Sequence, residues 1–325
     1  MLQVSFQYAK TQGFCSLILW SYFSIFAFFS SMSWAEVTLV SSSAQLQEAI
    51  NTAKPGDEIV IKKSLVLSQN KTLKSQPVPF KPTNTVGAYF QIKNISGTAA
   101  KPIILRGESD KSSEFPTLLG QGVLDKNYVL HFVQSNYWVV QNLRVSNEEK
   151  GIMLDQANYN VFDNIEISNI GHEAIHFRSS SSYNVLKNCL IKDTGVNAEQ
   201  AGYGEGIYVG YHNGHQKTPQ DNSDHNRIGG CTFGPNITGE AIDIKAGTKG
   251  TLIEHNIFSG AGGGTNVKPA ANSFIDIKGT DVTVRYNTFN LDGSSYINHL
   301  LRSADEHKRS NIYGNTLNLK AEFAM

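Results

Sequence analysis

The chain has 325 residues, and its 28 lysine and arginine residues balance its 28 aspartate and glutamate residues, so the formal net charge is zero. Without a basic surplus, the composition offers no electrostatic footprint for nucleic acid. Hydrophobic residues make up 40% of the chain, which is enough to build one sizeable core. The bulk numbers therefore favour a single elongated domain and exclude an ordinary nucleic-acid-binding protein.

The N-terminus has the features of a secretory signal peptide. Residues 14–29 form an uncharged apolar run behind Lys10, and the small residues Ser33 and Ala35 stand where a cleavage site requires them. The run has about 16 residues, which is short for a membrane-spanning helix. We therefore expect residues 1–35 to be a cleaved signal, with no stable membrane insertion afterwards. A retained N-terminal anchor is the alternative.

The rest of the chain, residues 36–325, is predicted to be one secreted domain, extracellular or periplasmic, and a monomer. It begins with a strand at Glu36–Val40, and Ser41–Ser43 then offer an N-cap for a short helix at Ala44–Ala53. A second strand follows at Glu58–Lys62. Such a helix is expected to cap the first winding of a repetitive fold, whose apolar end would otherwise be open.

From residue 137 onwards, short segments with a common pattern recur. Each has an aliphatic residue three places before a central position and apolar residues just after it, and the central positions are 22 to 43 residues apart. β-branched strands that repeat without helical stretches between them predict an all-β fold, the parallel β-helix. The central positions are Asn142, Asn164, Asn188, Cys231, Asn256, Asn287 and Asn315.

Two cysteines, Cys189 and Cys231, fall on neighbouring windings. A disulfide between them is possible in an oxidising compartment. In the alignment, Cys231 is a central position, whereas Cys189 comes one residue after the central position Asn188. The two side chains would then point in different directions. The sequence therefore leaves both the bridged and the free state open and favours the free state.

A second short strand follows each central position, and it carries the candidate chemistry. One column, which includes Leu300 at its end, is expected to face inward, and the period of two sends the residues between the apolar positions outward. The inward column is Ile152, Ile175, Ile207, Ile242, Ile275 and Leu300. The outward columns are Met153, His176, Tyr208, Asp243 and Asp276, and Asp155, Arg178, Gly210, Lys245 and Lys278, preceded by Glu173, Glu205 and Glu240.

Outward residues of adjacent windings should be neighbours, because stacked strands lie about 4.8 Å apart. Two carboxylates at that spacing repel unless a cation or a shared proton intervenes. Calcium prefers hard oxygen ligands and would bridge them. We therefore predict a calcium site at Glu240, Asp243 and Asp276.

The cationic side chains over the same face suit an anionic sugar polymer. Elimination of a uronate needs a base for the proton beside the carboxylate, and groups that stabilise the developing charge. Lys245 or Lys278 is the candidate base, provided that the surroundings lower its pKa. The candidate substrate-binding residues are Arg178 for the sugar carboxylate, together with His176, Tyr208 and His212.

Over residues 36–320 the winding pattern resembles the pectate-lyase-like right-handed β-helix superfamily, and residues 95–108 are similar to early windings of polysaccharide lyases with this fold. The resemblance implies a polysaccharide lyase, because pectate, alginate and chondroitin lyases belong there and many use calcium with a lysine or arginine base. The polygalacturonase and alginate-epimerase motifs are absent, which disfavours hydrolysis and epimerisation. We therefore expect calcium-assisted β-elimination of a uronate-containing polymer.

Three other interpretations of the outward patch stay open. Asp243, Lys245, Asp276 and Lys278 would also form a solvated lattice of ion pairs, each of which contributes little. The second is a non-catalytic carbohydrate-binding or surface-adhesion protein on the same scaffold, and the third is a purely structural solenoid.

The segment from His172 to His176 matches the zinc-protease motif H-E-x-x-H. That motif works on a helix, which places both histidines on one face. Here the repeat alignment indicates a strand, in which the two histidines would lie roughly 13 Å apart. We therefore expect no zinc site and place His176 in the exposed groove.

Overall fold

The computed structural model describes residues 35–66, 87–212, 221–259, 271, 273–291, 299–303 and 309–319, which belong to the unit Ala35–Met325. No helix among these residues is long and apolar enough to cross a membrane. The predicted signal peptide, apart from Ala35, lies outside the described residues, as does part of the excursion that contains His212, residues 213–220.

The described chain winds through three parallel sheets, so the predicted parallel β-helix is confirmed. Each strand pairs with strands one winding before and after it. Sheet A consists of β1 (Val37–Val40), β2 (Glu58–Ile61), β5 (Ile103–Gly107), β8 (Trp138–Gln141), β11 (Val161–Asp163), β14 (Val185–Lys187), β17 (Arg227–Gly229), β20 (Leu252–Glu254), β23 (Val282–Arg285) and β26 (Ser310–Tyr313).

Sheet B consists of β3 (Leu65–Val66), β6 (Thr117–Gly122), β9 (Arg144–Glu148), β12 (Glu166–Ile170), β15 (Leu190–Ile191), β18 (Thr232–Phe233), β21 (Ile257–Ser259), β24 (Thr288–Leu291) and β27 (Thr316–Leu319). Sheet C consists of β4 (Gly87–Lys93), β7 (Asn127–Val133), β10 (Lys150–Asp155), β13 (Ile175–Arg178), β16 (Ile207–Val209), β19 (Ile242–Ile244), β22 (Ser273–Ile277) and β25 (His299–Ser303). Short 3₁₀ turns lie at Ser112–Glu114 and Ala198–Tyr203.

The predicted N-terminal cap is confirmed as helix α1 (Ser43–Thr52). The Ser42 hydroxyl accepts a hydrogen bond of 3.2 Å from the backbone N–H of Gln45 and so satisfies one free donor of the first turn. The buried face of α1 packs against β1, β2 and β4. The helix therefore covers apolar surface at the first winding.

The core lies between the sheets and consists of inward columns of apolar side chains. Ile152, Ile175, Ile207, Ile242 and Ile275 are almost fully buried, as predicted. The prediction for Leu300 is wrong by one residue, because Ile275 pairs with Leu301 and Asp276 pairs with Arg302. Two consecutive leucines fit an alternating pattern in either register, so the sequence did not fix the register of this strand.

The asparagines at the predicted central positions form two separate ladders, in which side chains of neighbouring windings are hydrogen-bonded. Asn142 and Asn164 sit at left-handed turn positions, where the Asn164 amide donates a 2.8 Å hydrogen bond to Asn142. Asn256, Asn287 and Asn315 lie one position later, and the amide of Asn256 donates to Asn287 at 3.0 Å. The single alignment through all seven positions was therefore wrong by one residue at its centre.

That shift changes the account of the two cysteines. Cys189 and Cys231 occupy equivalent places on neighbouring windings, and the backbone N–H of Cys189 lies 3.4 Å from the Cys231 sulfur. Both are buried and free. The predicted difference in ladder position was wrong, although the two thiols are unbridged in this structure.

A third ladder was missed. Asn160, Asn184 and Asn226 are fully buried, and each accepts a hydrogen bond from the backbone of the previous winding. The Asn184 amide also donates to the carbonyl oxygen of Ala157 at 3.0 Å. These asparagines form hydrogen bonds with backbone groups at the turn where the chain leaves sheet C. Without them, those backbone groups would be buried without partners.

We predict that Asn184→Ala lowers the free energy of unfolding by about 1–3 kcal/mol, because buried backbone groups lose their partner. Urea denaturation measures the change. The matched control is Asn318→Ala, which removes an exposed amide that donates to Asn290 at 2.8 Å, and we expect a change within about 0.5 kcal/mol. Equal losses in the two variants would contradict a structural role for the buried ladder.

Candidate functional site

The outward column of sheet C is continuous across its windings. His176 pairs with Tyr208, Tyr208 with Asp243, and Asp243 with Asp276. Arg302 follows on β25. Residues that are far apart in sequence therefore stand side by side on the outer face of one sheet, as predicted for the first four of them.

These side chains are less exposed than expected. Asp243 is 2% exposed and Asp276 1%, while Tyr208 and Lys245 are also buried. The prediction of an exposed groove position for His176 is wrong as well, because this residue is 6% exposed. The charges therefore interact in a poorly solvated environment, where an unpaired charge is costly.

The buried charges neutralise one another in a chain of ion pairs, which we call the lattice (Asp243, Lys245, Asp276, Lys278 and Arg302). Lys245 contacts Asp243, and the Lys278 ammonium lies 2.8 Å from Asp243 and 2.6 Å from Asp276. The carboxylate of Asp276 also lies 3.4 Å from the Arg302 guanidinium. The ion-pair lattice is therefore present, but it is buried rather than solvated.

The lattice fixes the protonation of Lys278. Burial alone would lower the pKa of this lysine, but the carboxylates of Asp243 and Asp276 outweigh burial and raise the pKa. Lys278 is therefore held as an ammonium ion. A group in that state neutralises a substrate carboxylate better than it removes a proton.

Tyr208 and Lys245 form a close pair beside the lattice. The Lys245 nitrogen lies 4.4 Å from the centre of the Tyr208 ring, and the ring of His176 packs edge-on against the same tyrosine at 4.5 Å. Burial, followed by the negative charge of Asp243, raises the pKa of Tyr208. Its phenol is therefore protonated at neutral pH.

His176 is held in place by its neighbours. Its Nε2 atom lies 2.8 Å from the carbonyl oxygen of Gly210, and its Nδ1 atom lies 3.6 Å from Glu173. Burial lowers the pKa of this histidine. A neutral ring that donates from Nε2 to Gly210 fits these contacts, and it fixes the segment that follows Tyr208.

Zinc-protease geometry is absent around His176. Residues Ile175–Arg178 form strand β13, and Glu173 pairs with Lys150 at 2.8 Å. His172 contacts a different carboxylate, Glu149, at 3.1 Å. The predicted strand is confirmed for Ile175 and His176, while residues 172–174 precede β13 in irregular backbone that is not helical.

An acidic cluster adjoins the lattice at Glu205, Glu240 and Asp243. One carboxylate oxygen of each residue lies within 4.8 Å of those of the other two. One oxygen of Glu205, Oε2, is buried without a hydrogen-bond partner. Burial and the neighbouring carboxylates raise the pKa of both Glu205 and Glu240. A positive ion or a proton at this site would therefore relieve the repulsion among the three carboxylates.

This cluster differs from the predicted ligand set of Glu240, Asp243 and Asp276. Asp276 is not one of the three residues, and Glu205 takes its place beside Glu240 and Asp243. Glu205 stands two residues before β16, next to the aligned columns. The sequence could have identified it from the repeated glutamate at that position.

Arg178 forms a buried ion pair with Asp155. It holds Asp155 through two hydrogen bonds of 2.7 and 3.0 Å, and Asp155 also contacts His131 at 2.7 Å. Burial raises the pKa of Asp155, but Arg178 and His131 outweigh burial and lower it. Arg178 therefore lies in a closed ion pair, while His212, another predicted substrate contact, is exposed at the edge of the described chain.

The chain is similar to known β-helix proteins. A model of the right-handed β-helix region matches residues 103–223. An alginate lyase from Paenibacillus sp. shares 30% identity, over 87% of this chain and 95% of that chain, with a TM-score of 0.69. A comparison with curated proteins gave no match.

Two further solved structures share the fold at lower identity. A mannuronic-acid-specific family 6 polysaccharide lyase from human gut microbiota is 15% identical over 87% of this chain and 58% of that chain, with a TM-score of 0.51. A rhamnogalacturonan lyase is 14% identical over 86% of this chain and 87% of that chain, with a TM-score of 0.50.

The raised pKa of Glu205 predicts how the stability of a Glu205→Gln variant depends on pH when a metal chelator is present. The folded protein favours protonated Glu205, so this residue costs stability as the pH rises above the usual carboxyl range. Glu205→Gln removes that cost. The melting temperature of the variant should therefore gain on wild type as the pH rises from 5 to 8. The control is Glu108→Gln, at an exposed site, whose melting temperature should differ from that of wild type by the same amount at every pH. A difference between Glu205→Gln and wild type that does not change with pH would contradict the account.

Proposed function

The chain belongs to the pectate-lyase-like family of right-handed β-helix polysaccharide lyases, and we propose that it cleaves a uronate polymer by β-elimination, with alginate as the first candidate substrate. The main support is the 30% identity to an alginate lyase that the chain covers almost completely. The buried row of acids and cations on sheet C supports the same chemistry. A secreted monomer, released by signal cleavage, suits a polymeric substrate, and these two features remain predictions.

β-Elimination makes three demands on the site. A base must take the proton from the carbon that bears the carboxylate, a cation must neutralise that carboxylate, and a proton must reach the departing glycosidic oxygen. A carbon–carbon double bond then forms in the sugar ring as the glycosidic bond breaks. The outer face of sheet C carries a group suited to each demand.

Lys245 is the proposed base and Lys278 the proposed partner of the substrate carboxylate. Lys278 is held as an ammonium ion by two carboxylates, which favours neutralisation over proton removal. Lys245 contacts the single carboxylate of Asp243 and lies beside Tyr208.

Tyr208 is the proposed proton donor. Its phenol is buried and protonated, and the Lys245 nitrogen lies 4.4 Å from the centre of its ring. A base and an acid that lie this close can act on adjacent atoms of one sugar linkage. His176 would keep Tyr208 in position by packing against its ring.

We also propose that calcium binds at Glu205, Glu240 and Asp243. The residues fit the ion in chemistry, because all three offer carboxylate oxygens and one oxygen of Glu205 is buried without a partner. Bound calcium would supply positive charge beside the substrate carboxylate. The alternative is a proton shared among the carboxylates, which the raised pKa values would equally accommodate.

Replacement of the base tests the proposed reaction. We predict that Lys245→Ala lowers kcat by about 10²–10⁴-fold on alginate, measured by the near-ultraviolet absorbance of the unsaturated product. The assay is run well below the melting temperature of the variant, which should fall because Asp243 loses a buried partner. The control is Lys249→Ala, whose side chain is 53% exposed and which should keep full activity. Normal turnover in Lys245→Ala, together with loss in Lys278→Ala, would assign the base to Lys278.

Calcium binding has a readout that does not depend on activity. We predict that calcium raises the melting temperature of the wild type by a few degrees relative to a chelator. The rise should disappear in Glu205→Gln and persist in Glu108→Gln. Equal melting temperatures with calcium and with chelator would favour the shared proton.

The non-catalytic interpretation draws support from the lattice, in which both lysines already have carboxylate partners. A scan over pectate, alginate and glycosaminoglycans separates the two. Retained binding of the polymer without unsaturated product on any of them would favour a binding protein.

A further inference from the structure

We propose that Arg302 forms a carboxylate-binding subsite two windings beyond Lys245 and three beyond Tyr208. This subsite would select polymers that carry a charged uronate at that place. This inference rests on the proposed polyuronate substrate. It adds a specificity-determining residue that the sequence pattern alone did not identify, because the strand register placed Leu300 where Leu301 stands.

The position of Arg302 follows from the stacking of sheet C. Arg302 on β25 pairs with Asp276 on β22, and Asp276 pairs with Asp243 on β19. Each winding advances about 4.8 Å, so the backbone of Arg302 lies roughly 10 Å from that of Asp243 along the stack. An extended polymer that lies along the outer face would pass both places.

Arg302 is the least engaged cation of the lattice. Its only described contact is one 3.4 Å approach to the Asp276 carboxylate, whose same oxygen lies closer to Lys278, at 2.6 Å. Its side chain is 48% exposed, compared with 20% for Lys278. A guanidinium carries five donors in a fixed fork, so most of its hydrogen-bonding capacity is uncommitted among the described contacts.

The second arginine on this face provides an internal comparison. Arg178 holds Asp155 through two short hydrogen bonds and is buried. Arg302 has neither the paired hydrogen bonds nor the burial. Arg178 thus shows the paired hydrogen bonds that Arg302 would form if it bound the carboxylate of a substrate.

The charge count points the same way. The lattice contains three cations, Lys245, Lys278 and Arg302, and two carboxylates, Asp243 and Asp276. One positive charge is therefore left over within this set, in which Glu205 and Glu240 of the adjoining acidic cluster are not counted. Arg302 is the most exposed cation of the set, so an anionic substrate can reach it without displacing a buried pair.

The test compares Arg302→Gln with Arg309→Gln. Arg309 is a suitable control because its side chain is 75% exposed and pairs with Asp281 at 2.7 Å, outside the lattice. We expect Arg302→Gln to raise KM for alginate about tenfold or more, the effect of one charged hydrogen-bonded pair. We expect kcat and the melting temperature to stay unchanged, and Arg309→Gln to behave as wild type.

A partly amidated alginate adds a second measurement. Loss of substrate carboxylates should raise KM for the wild type and have less effect on Arg302→Gln, since the subsite is already lost. An unchanged KM in Arg302→Gln, or a lowered melting temperature with normal KM, would overturn the inference and leave Arg302 as a partner of Asp276.

Affinity electrophoresis in gels that contain alginate separates this inference from the proposed reaction. If the wild type forms no product but is retarded by the polymer, weaker retardation of Arg302→Gln than of Arg309→Gln would still support the subsite. Equal retardation of the two variants would reject it. The lyase proposal fails on the absence of product, independently of this result.

Discussion

The whole structure depends on the parallel stacking of windings in register. Backbone hydrogen bonds hold neighbouring strands about 4.8 Å apart, so each position of one winding has a fixed neighbour in the next. In this chain the rule brings together Tyr208, Asp243 and Asp276, which are separated by more than thirty residues at each step. A one-residue error in register would turn the acids into the apolar core.

A second constraint follows from the burial of the stacked charges. Asp243 and Asp276 are almost inaccessible to water, so the lysines beside them are needed for stability before any chemistry is considered. The lattice and a catalytic function are therefore compatible. The pairing of Lys278 with two carboxylates prepares it to neutralise a substrate, while Lys245 and Tyr208 lie together at the edge of the lattice.

Much of this arrangement could be predicted from the sequence, because apolar alternation fixes which residues of a strand face inward. The columns through Ile242 and Asp243 are of that kind. The pattern failed where it was degenerate: two adjacent leucines left β25 in an ambiguous register, which hid Arg302. The asparagine ladder failed for a similar reason, because a polar residue fits a turn at two adjacent positions.

Other features of the site depend on side-chain packing, which a sequence pattern does not contain. The closed pair of Arg178 with Asp155 and the entry of Glu205 into the acidic cluster depend on rotamers and burial. Alternation predicted the outward direction of His176 and Asp243 but not how little water reaches them. Direction thus follows from periodicity, whereas exposure follows from what covers the sheet.

A crystal structure of the Lys245→Ala variant with a bound uronate oligosaccharide tests the central claim most directly. The account predicts that the sugar lies on the outer face of sheet C, with one carboxylate at Lys278 and a glycosidic oxygen within reach of the Tyr208 hydroxyl. An oligosaccharide bound to sheet A or sheet B, with the lattice left unoccupied, would contradict it.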